Sequence, residues 1–259
     1  MAGLDSLSYL ALVYVAFAVV CAGLVHGMLG LGFPLVATPL ISLVIGIKAA
    51  IVIIVLPTLT VVIVSIVAGG SVRETLRDWW RMPLFMFFGA LVGTRVFIVF
   101  DPAPLTLLLA LIILAYLGLD SIGRAQWAML KRRPHAFAVG FGFLGGLFEG
   151  SVNISAPPLL IYFLSLGLTP GALVKALNLC FGTAKATQFG SLVASAGVPL
   201  SMWVSTIPLC VLGAGMSLAG TRIRDRVEAA TYRRWLKQAL FAMAGLLIFQ
   251  FAMLMRAPG

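Results

Sequence analysis

A single apolar run, Gly142 to Pro170, carries Glu149, Gly150, Ser151, Asn153, Ser155 and the pair Pro157-Pro158 at its centre. A helix that merely crosses lipid has no need of such a centre. Gly loosens a helix, and the two prolines supply no N–H to its ladder. Backbone groups freed there must face protein or a wet cavity, because lipid offers no partners. Broken helices of this kind hold ligand sites in secondary transporters, although small residues also serve close helix packing. The chemistry on offer is hydrogen-bond donation to a bound ligand. Helix N-termini beyond a break present N–H groups and the positive end of a dipole, and Ser151, Asn153 and Ser155 would add side-chain donors. Downstream, Lys175, Asn178, Thr183, Lys185 and Gln188 make the Leu173–Ala196 run unusually polar. Lys185 lies deeper than Lys175, and an ionisable residue within a span points by default to function. Lys175 is expected to snorkel to an interface. The two lysines are ten residues apart, roughly 1000° around a helix, so they do not share a face. Asn178 and Lys185, seven apart, do. Glu149 has three readings: a proton carrier, a partner neutralising Lys185, or a hydrogen-bonded protonated acid. His26 invites the proton-coupling reading as well.

His26 opens a second such stretch, His26-Gly27-Met28-Leu29-Gly30-Leu31-Gly32-Phe33-Pro34, flanked by apolar runs. Gly30 and Gly32 are therefore candidate substrate-contacting positions beside Gly150, Ser151, Asn153, Ser155, Asn178 and Lys185. The chain around them has 259 residues, 61% hydrophobic and 10% charged, with mean hydropathy +1.11. A soluble domain of this size needs more charge to cover its surface. The reading is an all-α polytopic membrane protein with the lipid bilayer as its surroundings. Leu7 to Leu24 is expected to be a retained first helix, since no basic n-region or clear cleavage site precedes it. The excess of Lys and Arg, 18 against 8 acids, follows the positive-inside rule and needs no nucleic-acid partner. Its clusters are Arg73, Arg77 and Arg81; Arg124, Lys131, Arg132 and Arg133; and Arg222, Arg224, Arg226, Arg233, Arg234 and Lys237. These loops are predicted cytoplasmic. The turns at 101–104 and 197–199 carry no positive charge and are predicted external, as are both termini. Arg95 and Arg222 read as anchors near the membrane surface. Cys21, Cys180 and Cys210 lie in apolar runs without a CxxC spacing and read as buried hydrophobes. With two histidines, no HExxH and no serine elbow, enzyme chemistry is not expected. Neither a cofactor nor a metal is expected. Oligomeric state is not legible, and a homodimer is left open.

The two halves resemble each other. Pro83-Leu84 leads to Gly93-Thr94-Arg95, and Pro208-Leu209 leads to Gly220-Thr221-Arg222 at an offset near that of the two breaks. Each half reads as break, span, span ending in Gly-Thr-Arg, span. Equivalent loops differ in charge: 71–81 is basic where 197–201 is bare, and 101–104 is bare where 222–237 is basic. This predicts an inverted repeat of about five elements per half, with residues 1–122 the first repeat, 123–135 a cytoplasmic linker and 136–259 the second repeat. Whether the broken stretches span or re-enter is open, the short second arms favouring hairpins. Inverted repeats with broken helices belong to alternating-access transporters.

The paired glycine-rich breaks, each followed by Pro-Leu, and the arm Ser155-Ala156-Pro157-Pro158-Leu159-Leu160-Ile161-Tyr162 resemble the sulfite exporter TauE/SafE family over essentially the whole chain. The resemblance implies a bacterial-type plasma-membrane (inner-membrane) transporter of small anions such as sulfite, sulfoacetate or other organosulfonates. Transport of a different anion or a carboxylate is the alternative, an intramembrane enzyme a remoter one. Both breaks depart from the family's usual glycine runs, and they do so where a ligand should bind. Expelling one negative charge from a negative cytoplasm gains roughly 2.3 kcal/mol per 100 mV, so a uniporter needs no proton site.

Overall fold

The computed structural model describes residues 7–69, 72–118, 128–195, 197–223 and 229–256, and among these it is all-helical. Five helices are long and apolar enough to cross a membrane. The protein is a polytopic membrane protein. Its first half contains α1 (Tyr9–Leu29), α2 (Phe33–Ile45), α3 (Ile47–Ala68), α4 (Val72–Trp79), α5 (Arg81–Val99) and α6 (Pro102–Gly118). After the short α7 (Ala128–Arg132), the second half contains α8 (Pro134–Val152), α9 (Ala156–Ser165), α10 (Pro170–Ser195), α11 (Leu200–Ser205), α12 (Ile207–Ile223) and α13 (Ala229–Arg256). A long helix, a short one, a long one, a short connecting helix and two further helices thus occur twice in order.

Both expected breaks are present. α1 stops at Gly30 and α2 starts at Phe33-Pro34; α8 stops at Asn153 and α9 starts at Ala156-Pro157. Proline suits the first turn, where its missing N–H removes no intrahelical bond. The second arms have 13 and 10 residues, about 20 and 15 Å of helix, too short to cross a hydrocarbon core alone.

Other boundaries differ from expectation. The segment expected as a loop at 71–81 is largely the helix α4, because it contains no breaker and places Glu74 in the first turn and Arg77 in the last, matching the helix dipole. The turn expected over 101–104 shrinks to its first residues, since Pro102 opens α6. The span expected from Ser201 to Ala219 is present within Leu200–Ile223, one of the five, with a turn at Thr206 between α11 and α12. There the Thr206 hydroxyl donates to the Trp203 carbonyl at 2.7 Å, and Pro208 occupies the first turn of α12. The basic stretch expected as a loop from Thr221 to Lys237 is partly helical, with α12 running to Ile223 and α13 starting at Ala229. Arg224 and Arg226 lie outside the described residues, as do the terminal residues 1–6 and the linker residues Arg124 and Asp120. Within the linker, α7 occupies 128–132.

Two compact units exist, and neither coincides with a half of the sequence. One is formed within Met1–Val61, Val99–Leu117 and Val198–Gly259, the other within Val62–Ile98 and Gly118–Gly197. In the first unit, α1 lies on α12 at backbone distance. A Cβ on Gly27 would collide with the Ser217 carbonyl, and one on Gly220 would sit 2.5 Å from the Leu24 carbonyl. α13 is tied to α2 by Gln250 Nε2, which donates to the Ser42 carbonyl at 3.1 Å. In the second unit, α8 lies on α5 in the same manner. Cβ atoms on Gly146, Gly89 and Gly93 would strike the carbonyls of Met86, Phe143 and Leu147. Small residues allow this approach, and dispersion between close backbones takes the place of the hydrophobic effect that lipid does not supply. α10 packs against α4, α8 and α9.

Candidate functional site: a buried ion pair at the end of a helix

The second unit carries a polar cluster where α8 ends. Asn153 caps that helix with φ 63° and ψ 18°, its N–H donating to the Glu149 carbonyl at 3.0 Å. Among the described residues it is the only non-glycine with positive φ. Asn tolerates this left-handed conformation better than most side chains. The turn brings Glu149, on the last turn of α8, and Ser155, at the start of α9, onto one carboxylate: Ser155 Oγ donates to Glu149 Oε2 at 2.6 Å.

α10 supplies the other half. Lys185 Nζ lies 2.8 Å from Glu149 Oε1 and donates to Asn153 Oδ1 at 2.9 Å and to Gln188 Oε1 at 2.8 Å. Gln188 Nε2 donates to Asn153 Oδ1 at 2.9 Å and to the Gly150 carbonyl at 3.0 Å. The ammonium thus hydrogen-bonds two neutral amide oxygens and is paired by a carboxylate oxygen 2.8 Å away. Lys185 and Glu149 are 0% and 1% exposed. Among the described residues they are the only buried Lys, Arg, Asp or Glu. A buried charge is tolerated only when paired and hydrogen-bonded, and both conditions are met.

Of the residues singled out in the sequence, Glu149, Asn153, Ser155 and Lys185 are brought together, with Gly150 contributing its carbonyl. Gly150 also has a packing role: a Cβ there would lie 2.5 Å from the Ala90 carbonyl. The donors expected at Ser151 and Ser155 are otherwise engaged. Ser151 Oγ donates back to the Leu147 carbonyl at 2.7 Å, as hydroxyls within helices commonly do, and Ser155 serves Glu149. Asn153 meets the lysine as an acceptor, since its Oδ1 takes two hydrogen bonds. Asn178 is buried, and its Nδ2 donates to the Val174 carbonyl of its own helix at 2.9 Å. The start of α9 offers fewer donors than a helix N-terminus normally does, because Pro157 and Pro158 have no N–H. Lys175 is half-buried, while Arg95 and Arg222 are exposed.

Gly30, Gly32 and His26 belong to the other compact unit. Gly30, at φ 74°, caps α1 with its N–H donating to the His26 carbonyl at 2.6 Å, and Gly32 has φ 105°. In each break a left-handed cap stands four residues before the proline that opens the next helix. His26 and Glu149 consequently occupy equivalent positions, four residues before the cap, and both are buried. The first break has Gly at the cap where the second has Asn.

Gln188 is the member that sequence reasoning left out of the site. The signal was its i,i+3 spacing from Lys185, which places both side chains on one helix face.

Asn153 combines a backbone requirement with a side-chain one, and two substitutions separate them. Asn153→Gly keeps the left-handed cap and removes the amide, so it isolates the cost of taking one acceptor from Lys185 and Gln188, expected at about 1–3 kcal/mol. Asn153→Ala removes the amide and adds a left-handed penalty of roughly 1–2 kcal/mol. Thermal unfolding of the two purified variants checks the pair.

A family model described as Sulfite exporter TauE/SafE matches residues 15–247, a range that includes both breaks and the whole polar cluster. Comparison with curated proteins and with solved structures gives no match.

Proposed function

Because this chain belongs to the sulfite exporter TauE/SafE family of membrane transporters, we propose that it is a secondary transporter exporting small sulfur-containing anions by alternating access. The substrates are sulfite or organosulfonates resembling sulfoacetate, and the membrane is the bacterial-type inner membrane. The observation that carries this reading is Lys185, a cation fully buried beside a helix break and held by neutral amide oxygens on two sides. A membrane-buried lysine with a dedicated cradle is expensive to keep, and its ammonium is a natural counter-charge for a small oxyanion. Asn153 and Gln188 orient that ammonium. Glu149 neutralises it when no substrate is bound. Alternating access is supported by the twofold recurrence of the element order and by the charge inversion between equivalent loops, both features of inverted-repeat carriers.

The test is flux in proteoliposomes containing the purified protein, with sulfite, sulfoacetate and a sulfur-free carboxylate compared. Saturable transport of the sulfur anions in preference to the carboxylate is the expected result. Preference for the carboxylate would return the substrate to the wider class of small anions.

A further inference from the structure

Lys185 has three N–H donors, and their partners differ in kind. Two go to amide oxygens, Asn153 Oδ1 and Gln188 Oε1, which are neutral and fixed: Asn153 by its place at the cap of α8, Gln188 by its bonds to Asn153 and the Gly150 carbonyl. Only the third, toward Glu149 Oε1, is shared with a charge. A substrate anion that approached the intact pair would create net negative charge in a buried site, at a desolvation cost of several kcal/mol. An anion that takes over the third donor must displace a carboxylate that is itself buried and would be left unpaired.

We propose that the anion occupies the Glu149-facing donor of Lys185 only together with a proton bound by Glu149, so that one monovalent anion and one proton move per cycle without net charge. This rests on the transporter reading above and specifies its substrate charge and coupling. The balance is simple. The empty site holds an ammonium and a carboxylate; the loaded site holds the ammonium, a carboxylic acid and a monoanion. Both are neutral. The proton enters from water on the loading side, is bound on the Glu149 carboxyl, and leaves to water on the other side with the anion. Ser155 is the positioning residue for this exchange. Its hydroxyl donates to Glu149 Oε2 at 2.6 Å, and a hydroxyl can reverse to accept from a protonated carboxyl without moving. A dianion would leave the loaded site charged and is disfavoured.

Among the described residues, no other group competes for this role on the elements packed with α8 in its unit. α10 presents Lys185 to Glu149, whereas its Lys175 is half-buried and its Cys180 is a buried thiol. On α5, Arg81 is half-buried and Arg95 exposed; on α7, Lys131 and Arg132 are exposed. The Tyr162 hydroxyl of α9 is turned to the Pro134 carbonyl at 3.1 Å.

The experiment measures the steady-state distribution of sulfite across proteoliposomes, with protein-free vesicles as the control for leak. A one-charge uniport would shift that ratio roughly 50-fold for an imposed 100 mV. The expected result for the wild-type protein is a ratio that ignores the potential and follows the pH gradient. Glu149→Gln holds the carboxyl position uncharged, so its distribution is expected to follow the potential. Methanesulfonate, whose charge does not titrate near neutrality, is expected to inhibit wild-type sulfite flux more strongly as the medium is acidified and to lose that pH dependence in Glu149→Gln. A wild-type ratio that follows the potential overturns the proposal and leaves the transporter reading standing. Absence of flux for every sulfur anion overturns both. The wild-type measurements decide the matter even where the variant fails to fold.

Discussion

Lys185→Ala is expected to abolish transport and to destabilise the protein, and Lys185→Met with Glu149→Gln is expected to restore the stability without the transport. Buried ion pairs respond asymmetrically to substitution. Removing one partner leaves the other charge buried and uncompensated, a loss of about 3–5 kcal/mol, whereas replacing both with uncharged groups of similar size is often neutral. Lys185 and Glu149 meet that condition, being 0% and 1% exposed with 2.8 Å between Nζ and Oε1. The neutral pair keeps the volume, and Gln188 still ties α10 to the Gly150 carbonyl at the end of α8. Transport does not return, because no cation remains. Thermal unfolding in detergent and sulfite flux in vesicles are the two readouts. Equal stability of Lys185→Ala and wild type would refute the energetic argument, and sulfite flux in the double variant would refute the role of the ammonium.

The second large effect concerns packing. Gly146→Ala is expected to lower stability severely, while Gly140→Ala, six residues earlier on the same helix, is expected to be neutral or mildly stabilising. At Gly146 a methyl group would strike the Met86 carbonyl and come within 2.8 Å of the Ala90 nitrogen, both backbone atoms of α5. Neither can rotate away, so the helices must separate. Overpacking costs typically about 1–3 kcal/mol, and here it would also loosen α8 just before the turn that presents Glu149 and Asn153. At Gly140 the added methyl meets nothing within 4 Å, and alanine is the better helix former by roughly 1 kcal/mol. Folded yield and unfolding temperature of the two variants measure the contrast. Gly27→Ala should behave as Gly146→Ala does, since its methyl would meet the Ser217 carbonyl.

Much of this was legible in the sequence because glycine and proline mark places where a helix cannot simply continue. The stretch from His26 to Pro34 and the one from Glu149 to Pro158 each contain the break that the structure shows. Lys185 and Glu149 stood out because ionisable groups are rare in apolar runs, and neutralisation of the lysine by Glu149 was one of the readings the residues allowed. Direction of hydrogen bonding was not legible. Whether Asn153 offers its amide N–H or its carbonyl oxygen depends on the approach of α10, a contact between residues 32 apart. Nor was the fate of Ser151, whose hydroxyl has an acceptor one turn back within its own helix. The extent of α4 was misread because Trp79 and its charged neighbours signal an interface equally well as loop or helix. Trp79 in fact stacks edge-on against Tyr162 and Phe163 of α9, with centroids 6.4 and 5.5 Å apart. Compact units assembled from both halves of the chain leave no local mark at all.

That interleaving governs the order in which the chain can mature during synthesis. The unit holding the ion pair is drawn from Val62–Ile98 and Gly118–Gly197, so its last helix is available once α10 has left the ribosome. The unit holding Gly30 and Gly32 also begins early, but it draws on Val198–Gly259. Its α1 must wait in the bilayer, with the glycine face that will receive α12 unoccupied, until Ile207–Ile223 has been made. Domains fold as units in the order their parts emerge. A chain truncated after Gly197 and released from the ribosome should therefore hold a completed Lys185 cradle and an α1 without its α12 partner.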